Sequence, residues 1–286
     1  MSKQSTKVTK YRRSFLNVVG GKTYTLPRLM PTIETPIKIY HEPFVGGGAL
    51  YINLMEHIDH AYLADANYDL INCWLAIQNN LDEYYDHLAS LDITKNKETL
   101  DKHKRAWSST TNKIHKAALY TTISKMAIYG RMRRKKNGGL DASIDWHSVK
   151  EGRSGRPDRK YATLLPYDFY KTLSEHLQRA TIRCQNYAQT KPNPGDLVFL
   201  DPPYLSLAPD GGVKYEGWEQ FTERDQGALC ARARVWNKHG IHIRYCNYGL
   251  DFIYRNMPGF KTLTLTDETQ RKSHWSKRAP EVLFYN

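Results

Sequence analysis

The stretch that most constrains this chain is Leu197-Val198-Phe199-Leu200 followed by Asp201-Pro202-Pro203-Tyr204. Four consecutive apolar residues read as a short strand buried on both faces, as in parallel sheets. Proline supplies no ladder N–H and holds φ near one value, so the strand must stop at Asp201. A carboxylate and an aromatic ring are left at a strand's C-terminal end, the edge at which open α/β sheets bind ligands. The Asp201 carboxylate and the Pro202 carbonyl make two acceptors on a rigid turn, and Tyr204 adds a flat face. That set suits a planar ring with an exocyclic amine. Taken alone, Asp-Pro-Pro-Tyr is more often an Asx-type turn beside a core-edge tyrosine, so the rest of the chain decides.

Upstream, Gly20-Gly21-Lys22 follows the apolar Phe15–Val19. Two residues without Cβ before a cation can bring backbone N–H groups and an ammonium close to an anion. The segment Ile37–Tyr40 reads as a strand and runs into His41-Glu42-Pro43-Phe44-Val45-Gly46-Gly47-Gly48, ahead of an apolar helix at Ala49–Met55. Glycines in that place let the backbone approach a ligand. The spacing matches neither the dinucleotide nor the phosphate-loop fingerprint, which favours a nucleoside without phosphates. A second strand, Ala61–Ala64, ends in Asp65, roughly twenty residues past the glycines, where an acidic side chain can accept from ribose hydroxyls. Asn67 and Asp69 are suited to cap a helix beginning near Leu70.

From residue 81 to 166 the character changes, with Lys, Arg and His dense and strands of the earlier type absent. A helix at Ile114–Ala127 precedes Tyr129-Gly130-Arg131-Met132-Arg133-Arg134-Lys135-Lys136-Asn137-Gly138-Gly139. Five cations in six positions closed by Asn-Gly predict a charged hairpin or loop. A solvated basic loop is the plain reading; its insertion within an α/β pattern favours a nucleic-acid contact. The α/β pattern then resumes with a helix at Tyr167–Leu177 and a strand at Ala180–Asn186. A Thr222-capped helix through Val235 and strands at Ile241–Cys246, Phe260–Leu265 and Val282–Tyr285 complete it. The expected layout is a first catalytic part at 1–80, an insert at 81–166 and a second catalytic part at 167–286.

Lys and Arg number 42 against 29 Asp and Glu, a net charge of +13 that favours a polyanionic partner. Aromatic residues make up 12% of the chain, many among basic residues, as surfaces that stack on bases require. The four cysteines, Cys73, Cys184, Cys230 and Cys246, have no Cys-x-x-Cys spacing and no nearby His pair. A zinc site and a secreted disulfide scaffold are therefore not expected, and neither is any other metal. No signal-peptide core and no bilayer-length apolar run are present, so a cytoplasmic setting is expected.

Taken in order, Gly20-Gly21-Lys22, Glu42 to Gly48, Asp65-Ala66-Asn67-Tyr68-Asp69-Leu70-Ile71 and Asp201-Pro202-Pro203-Tyr204 resemble the motifs of the Dam-type, D12 class DNA adenine-N6 methyltransferases. Cofactor loop, recognition insert and Asp-Pro-Pro-Tyr follow one another as in that family's alpha group. The resemblance implies a Rossmann-like methyltransferase sheet with an inserted, mostly helical target-recognition domain. It implies S-adenosylmethionine as cofactor, with Lys22, Glu42, Gly46 and Gly48 toward the methionine end and Asp65 on the ribose. Phe44, Asn186 and Tyr187 would surround the adenine. Val18 stands where the family has a Trp. The target adenine, flipped from duplex DNA, would donate its amine N–H groups to Asp201 and the Pro202 carbonyl and stack on Tyr204. Arg131, Arg133, Arg134, Lys135, Lys136, Asn137 and Lys272 would face the nucleic acid. Tyr129, Arg131 and Ser143 fall where the family carries Asn, Leu and Pro, so its GATC site is not implied.

Two other readings stay open on sequence alone. One is an RNA adenine or cytosine-N4 methyltransferase, against which Asp before Pro-Pro-Tyr and the basic insert lean. The other is a nucleic-acid-binding homologue without catalysis. The recognition sequence, a phage or restriction-modification setting and a cognate restriction endonuclease as partner are equally open.

Overall fold

The computed structural model describes residues 11–136, 138–144, 162–204, 221–266 and 279–286. Seven of its strands form one sheet: β1 (Ile37–Glu42), β2 (Ile58–Asp65), β5 (Ala180–Cys184), β6 (Leu197–Leu200), β7 (His242–Tyr248), β8 (Lys261–Thr264) and β9 (Glu281–Tyr285). Their spatial order is β5-β2-β1-β6-β7-β9-β8. The first five run parallel, and β9 lies antiparallel between β7 and β8. β1 has as neighbours β2, the next strand in sequence, and β6, which returns after a long excursion. Connections leave β1 and β6 in opposite directions, and such a switch point opens a crevice at the strand ends.

All four residues of β6 are buried, as the unbroken apolar run predicts. Val198 and Leu200 join one hydrophobic cluster with Leu229, Ala233, Ile243 and Phe284, while Leu197 and Phe199 join the other with Tyr40, Leu63 and Leu283. Alternate residues of a strand face opposite sides, so the two clusters are the two faces of a sheet sandwiched between helix layers.

Helices follow their capping residues. α1 (Leu26–Leu29) follows the Lys22 turn, and α2 (Ala49–Leu54) follows Gly48. The Asn67 side chain accepts from Leu70 N at the head of α3 (Tyr68–Asn79). Asp69, expected as a second cap, is instead inside the helix and buried. The segment 81–166 contributes α4 (Leu81–Ser90), α5 (Lys97–Ser109) and α6 (Lys113–Met126), and then the antiparallel pair β3 (Met132–Arg134) and β4 (Leu140–Ala142). Every residue of α6 from Ala117 to Met126 is buried, as in a helix with neighbours on all sides. Leu119 and Ile123 share a cluster with Trp74 of α3, Tyr84 of α4 and Trp107 of α5. α7 (Tyr167–Leu177) returns the chain to the sheet, α8 (Glu223–Lys238) links β6 to β7, and α9 (Asp251–Asn256) follows β7. Thr222 caps α8 through a capping box with Asp225.

β2 begins three residues before the expected Ala61, because Ile58 and His60 pair with Ile37 and Ile39 of β1. The polar Asp59 and His60 hide that start from a search for apolar runs.

Candidate active site

The loop after β1 crosses the crevice. Gly46 and Gly48 take φ of +48° and +61°, where a side chain is strained. At Gly48 a Cβ would also collide with the Trp74 ring. Gly46 N donates to Asp65 Oδ2 at 3.1 Å, and its carbonyl accepts from Trp74 Nε1 at 3.0 Å. Asn67 N donates to Asp65 Oδ1 at 2.9 Å. Burial pushes Asp65 above the usual carboxylate range, opposed by these backbone N–H groups. Each oxygen keeps a lone pair for a further donor. Val18 packs beside this loop, its Cγ2 3.6 Å from where a Gly46 Cβ would stand.

Beside the loop, Phe44 stacks on Tyr187 with ring centroids 5.3 Å apart, and Phe221 meets both edge-on at 5.8 and 5.6 Å. Asn186 stands next to this cluster, but its side-chain oxygen accepts from Ala188 N at 2.9 Å and caps a short turn. Asn186 thereby shapes the turn that carries Tyr187. Phe221 escaped the sequence reading, although an apolar residue just before a helix cap is a recognisable signal.

At the end of β6 the arrangement is electrostatic. Lys22 Nζ lies 2.7 Å from Asp201 Oδ1 and 3.2 Å from Glu281 Oε1, and donates to Gly20 O at 2.8 Å. Burial pulls the Lys22 pKa down, but Asp201 and then Glu281 outweigh it and leave it raised. Burial pushes Asp201 up to about 6, with Lys22 opposing and Glu281 adding. At 2.7 Å the Lys22 ammonium pairs directly with the buried Asp201 Oδ1. Lys22, expected toward the cofactor's methionine end, contacts the carboxylate of the Asp-Pro-Pro-Tyr turn.

The Tyr204 hydroxyl donates to Glu281 Oε1 at 2.8 Å, and its ring meets Tyr248 edge-on at 4.8 Å. Gln226 Nε2 donates to the Pro203 carbonyl at 2.6 Å and so braces the turn from α8. Glu42 lies beneath the loop, 2% exposed, and accepts from the Tyr40 hydroxyl at 2.8 Å. Burial pushes it up to about 8, so it is largely protonated at neutral pH.

The basic hairpin stands on the other side of α3. Arg134, expected to face nucleic acid, keeps an exposed side chain, while its guanidinium donates to both oxygens of the buried Asp69 and lies over the Trp107 ring. Arg133 sits 3.4 Å from Asp141 across the hairpin. Arg131, Lys135 and Lys136 are exposed. Asn137 and Lys272 lie outside the described residues. At the hairpin's base a Cβ on Gly130 would collide with the Asn17 carbonyl, so the hairpin abuts the segment leading to Lys22.

The residues present fit a methyl donor built on a nucleoside: an aromatic cluster, a strand-end carboxylate with lone pairs to spare, and a buried carboxylate paired with an ammonium at the Asp-Pro-Pro-Tyr turn. Among the described residues no group of three or more His, Cys, Asp or Glu could hold a metal ion. The four cysteines are not paired in disulfides, and no described helix is long and apolar enough to cross a membrane.

Residues 19–271 match the family described as D12 class N6 adenine-specific DNA methyltransferase. The chain is 26% identical over 268 residues to the Type II methyltransferase M.MjaIII of Methanocaldococcus jannaschii, covering 87% of this chain and 89% of that protein. It is 27% identical over 246 residues to the DNA adenine methylase of Escherichia coli, covering 84% and 82%. Against the DNA adenine methylase of Vibrio cholerae the figures are 24% over 244 residues, with 84% and 82% covered.

Proposed function

The chain belongs to the D12 class of N6 adenine-specific DNA methyltransferases, and from that membership we propose how its own residues perform site-specific methylation of adenine in duplex DNA. S-adenosylmethionine, when bound, supplies an electrophilic sulfonium methyl. Phe44, Tyr187 and Phe221 enclose its adenine, Asp65 receives the ribose hydroxyls, and the Gly46–Gly48 loop lies along the methionine portion, with Val18 beside it.

The observation that carries the mechanism is the buried Asp201 carboxylate at the end of β6, held beside the Lys22 ammonium, with Tyr204 three residues on. An adenine drawn out of the stack lays its ring on Tyr204 and donates its amine N–H groups to Asp201 and the Pro202 carbonyl. Both N–H bonds are then directed at acceptors, and the nitrogen lone pair points away from them, toward the methyl donor. Attack would be in line: the N–C bond would form as the methyl's C–S bond breaks to leave a neutral thioether, and the proton lost by the amine would pass to the Asp201 carboxylate or on to water. Positioning does the work, and no covalent enzyme intermediate is required. The Gln226 bond to the Pro203 carbonyl keeps the turn, and so the two acceptors, in register.

Segment 81–166 acts as the target-recognition part. Arg133 is placed to read a base edge, with Arg131, Lys135 and Lys136 supplying charge for phosphates. Arg134 anchors the hairpin instead. A cytoplasmic setting is supported by a DNA substrate and four cysteines without disulfides. The reading allows a cognate restriction endonuclease as protein partner.

The test is transfer of labelled methyl from S-adenosylmethionine to mixed-sequence duplex DNA, with RNA in parallel, followed by nucleoside analysis and mapping. N6-methyladenine at a short recurring DNA sequence supports the proposal and supplies the site. Label in RNA alone, or in cytosine, overturns it. No transfer together with no cofactor-induced rise in melting temperature makes the chain a binding homologue without catalysis.

A further inference from the structure

Glu281 belongs to none of the motifs, yet it touches two of the site's residues. It opens β9 opposite Tyr248 of β7 and is 3% exposed. Its backbone is clamped on both sides, its N–H donating to Thr266 Oγ1 at 3.1 Å and its carbonyl accepting from Leu265 N at 2.8 Å. One oxygen, Oε1, accepts from the Tyr204 hydroxyl at 2.8 Å and lies 3.2 Å from Lys22 Nζ. The Tyr204 ring is therefore pinned at its hydroxyl by Glu281 and at its edge by Tyr248, with the Lys22 ammonium 5.0 Å from its centre.

Lys22 needs a second carboxylate for a chemical reason. While its ammonium holds Asp201 Oδ1, that oxygen is engaged by a cation that an incoming amine must displace or share. A buried ammonium released from Asp201 without another partner would be uncompensated, which is costly. Glu281, already at 3.2 Å, keeps it paired.

We propose that Glu281 is a positioning residue for methyl transfer: it holds the Tyr204 ring flat for the target base and retains the Lys22 ammonium when the amine takes Asp201. This rests on the function proposed above. Four groups on other parts of the fold, and one on its own loop, surround Asp201. Asp201 is faced by Lys22 from the turn after the glycines, Glu42 of β1, Cys246 of β7, Glu281 of β9 and Tyr204 of its own loop. Glu281 is one of those that favour protonated Asp201.

The experiment compares Glu281→Gln, Tyr204→Phe and the double variant in steady-state methyl transfer to duplex DNA, from pH 5 to 8.5, with cofactor affinity measured by calorimetry. Expected for Glu281→Gln is a fall in kcat of up to about 100-fold, as for a misplaced reacting group, with cofactor affinity nearly unchanged. The acidic limb of kcat moves to lower pH, because one charge that favours protonated Asp201 is gone. Adding Glu281→Gln to Tyr204→Phe costs less than adding it to the wild type, since the charge-assisted bond to the hydroxyl is already gone and only the hold on Lys22 is left to lose. Wild-type kcat with an unmoved acidic limb overturns the inference, as do fully additive losses. If Glu281→Gln fails to melt cooperatively, Tyr204→Phe decides: a wild-type rate there overturns the positioning role. Absence of transfer by the wild-type protein would refute the proposed function itself, a different result from an active wild type with an active Glu281→Gln.

Discussion

Lys22 and Asp201, 179 positions apart in the sequence, form a buried ion pair at 2.7 Å that joins the first glycine turn to the Asp-Pro-Pro-Tyr turn. The pair makes Asp201 responsive to both ends of the site. Removing its carboxylate should abolish transfer while leaving the Phe44 cluster and Asp65 untouched. For Asp201→Ala, kcat should fall by at least about 100-fold with cofactor affinity largely kept. Retained activity would remove the acceptor mechanism.

The pH dependence follows from the direction of the Asp201 shift. Burial lifts its pKa to about 6, and the ionised form is the stronger acceptor for the amine. Transfer in the enzyme should therefore fall as pH drops through about 6. Lys22 lowers that value, so Lys22→Met should move the acidic limb to higher pH. A limb unmoved by Lys22→Met would separate Asp201 from the titration.

Glu42 gives a stability test of opposite purpose. Its pKa rises from 4.5 unfolded to about 8 folded, so the native state binds the extra proton between those values. Its contribution is fully present below pH 4.5 and is lost as pH rises through 8. Glu42→Gln should flatten the decline in unfolding free energy across that window, measured by denaturant titration at several pH values. An unchanged slope would show that Glu42 ionises normally in the fold.

Hairpin cations should separate into three behaviours. Arg134→Ala leaves buried Asp69 without its partner and should cost about 1–3 kcal/mol of stability, the penalty for an unpaired buried polar group. Arg133→Ala should leave stability nearly intact and relax site preference by about 1–3 kcal/mol at one base pair. Replacing Lys135 and Lys136 by Ala should weaken binding to all sequences and make the salt slope shallower by up to about 2. Calorimetry and binding at several salt concentrations distinguish these outcomes.

Gly48→Ala combines a left-handed backbone with a collision at Trp74. It should destabilise the fold by more than about 1 kcal/mol, read as a lowered denaturation midpoint. Gly138→Ala, also left-handed but with open space around its Cβ position, is the comparison that isolates backbone strain from the collision.

Much of the sheet was legible because buried strands are apolar runs and turns are marked by Gly and Pro. Leu197–Leu200 and its stop at Asp201 needed nothing but proline geometry and hydrophobicity. Asn67 and Thr222 announced their helices because capping chemistry acts over three or four residues. The Arg134–Asp69 pair was not legible for the converse reason: a charge run gives no sign of which cation meets a buried carboxylate, and Asp69 lies 65 positions away.

What the sequence by itself determined, then, was local: strand ends, glycine turns, caps, and the residue types that an amine-bearing ring and a nucleoside require. Only the tertiary structure decided which of these meet. Phe44, Tyr187 and Phe221 come together because the parallel order β5-β2-β1-β6 brings the segments after β1, β5 and β6 to one edge of the sheet. Glu281 reaches Lys22 and Tyr204 because β9 inserts antiparallel beside β7. Side-chain contacts across a sheet depend on strand order and register, which are set by the packing of the whole core and leave no mark on neighbouring residues.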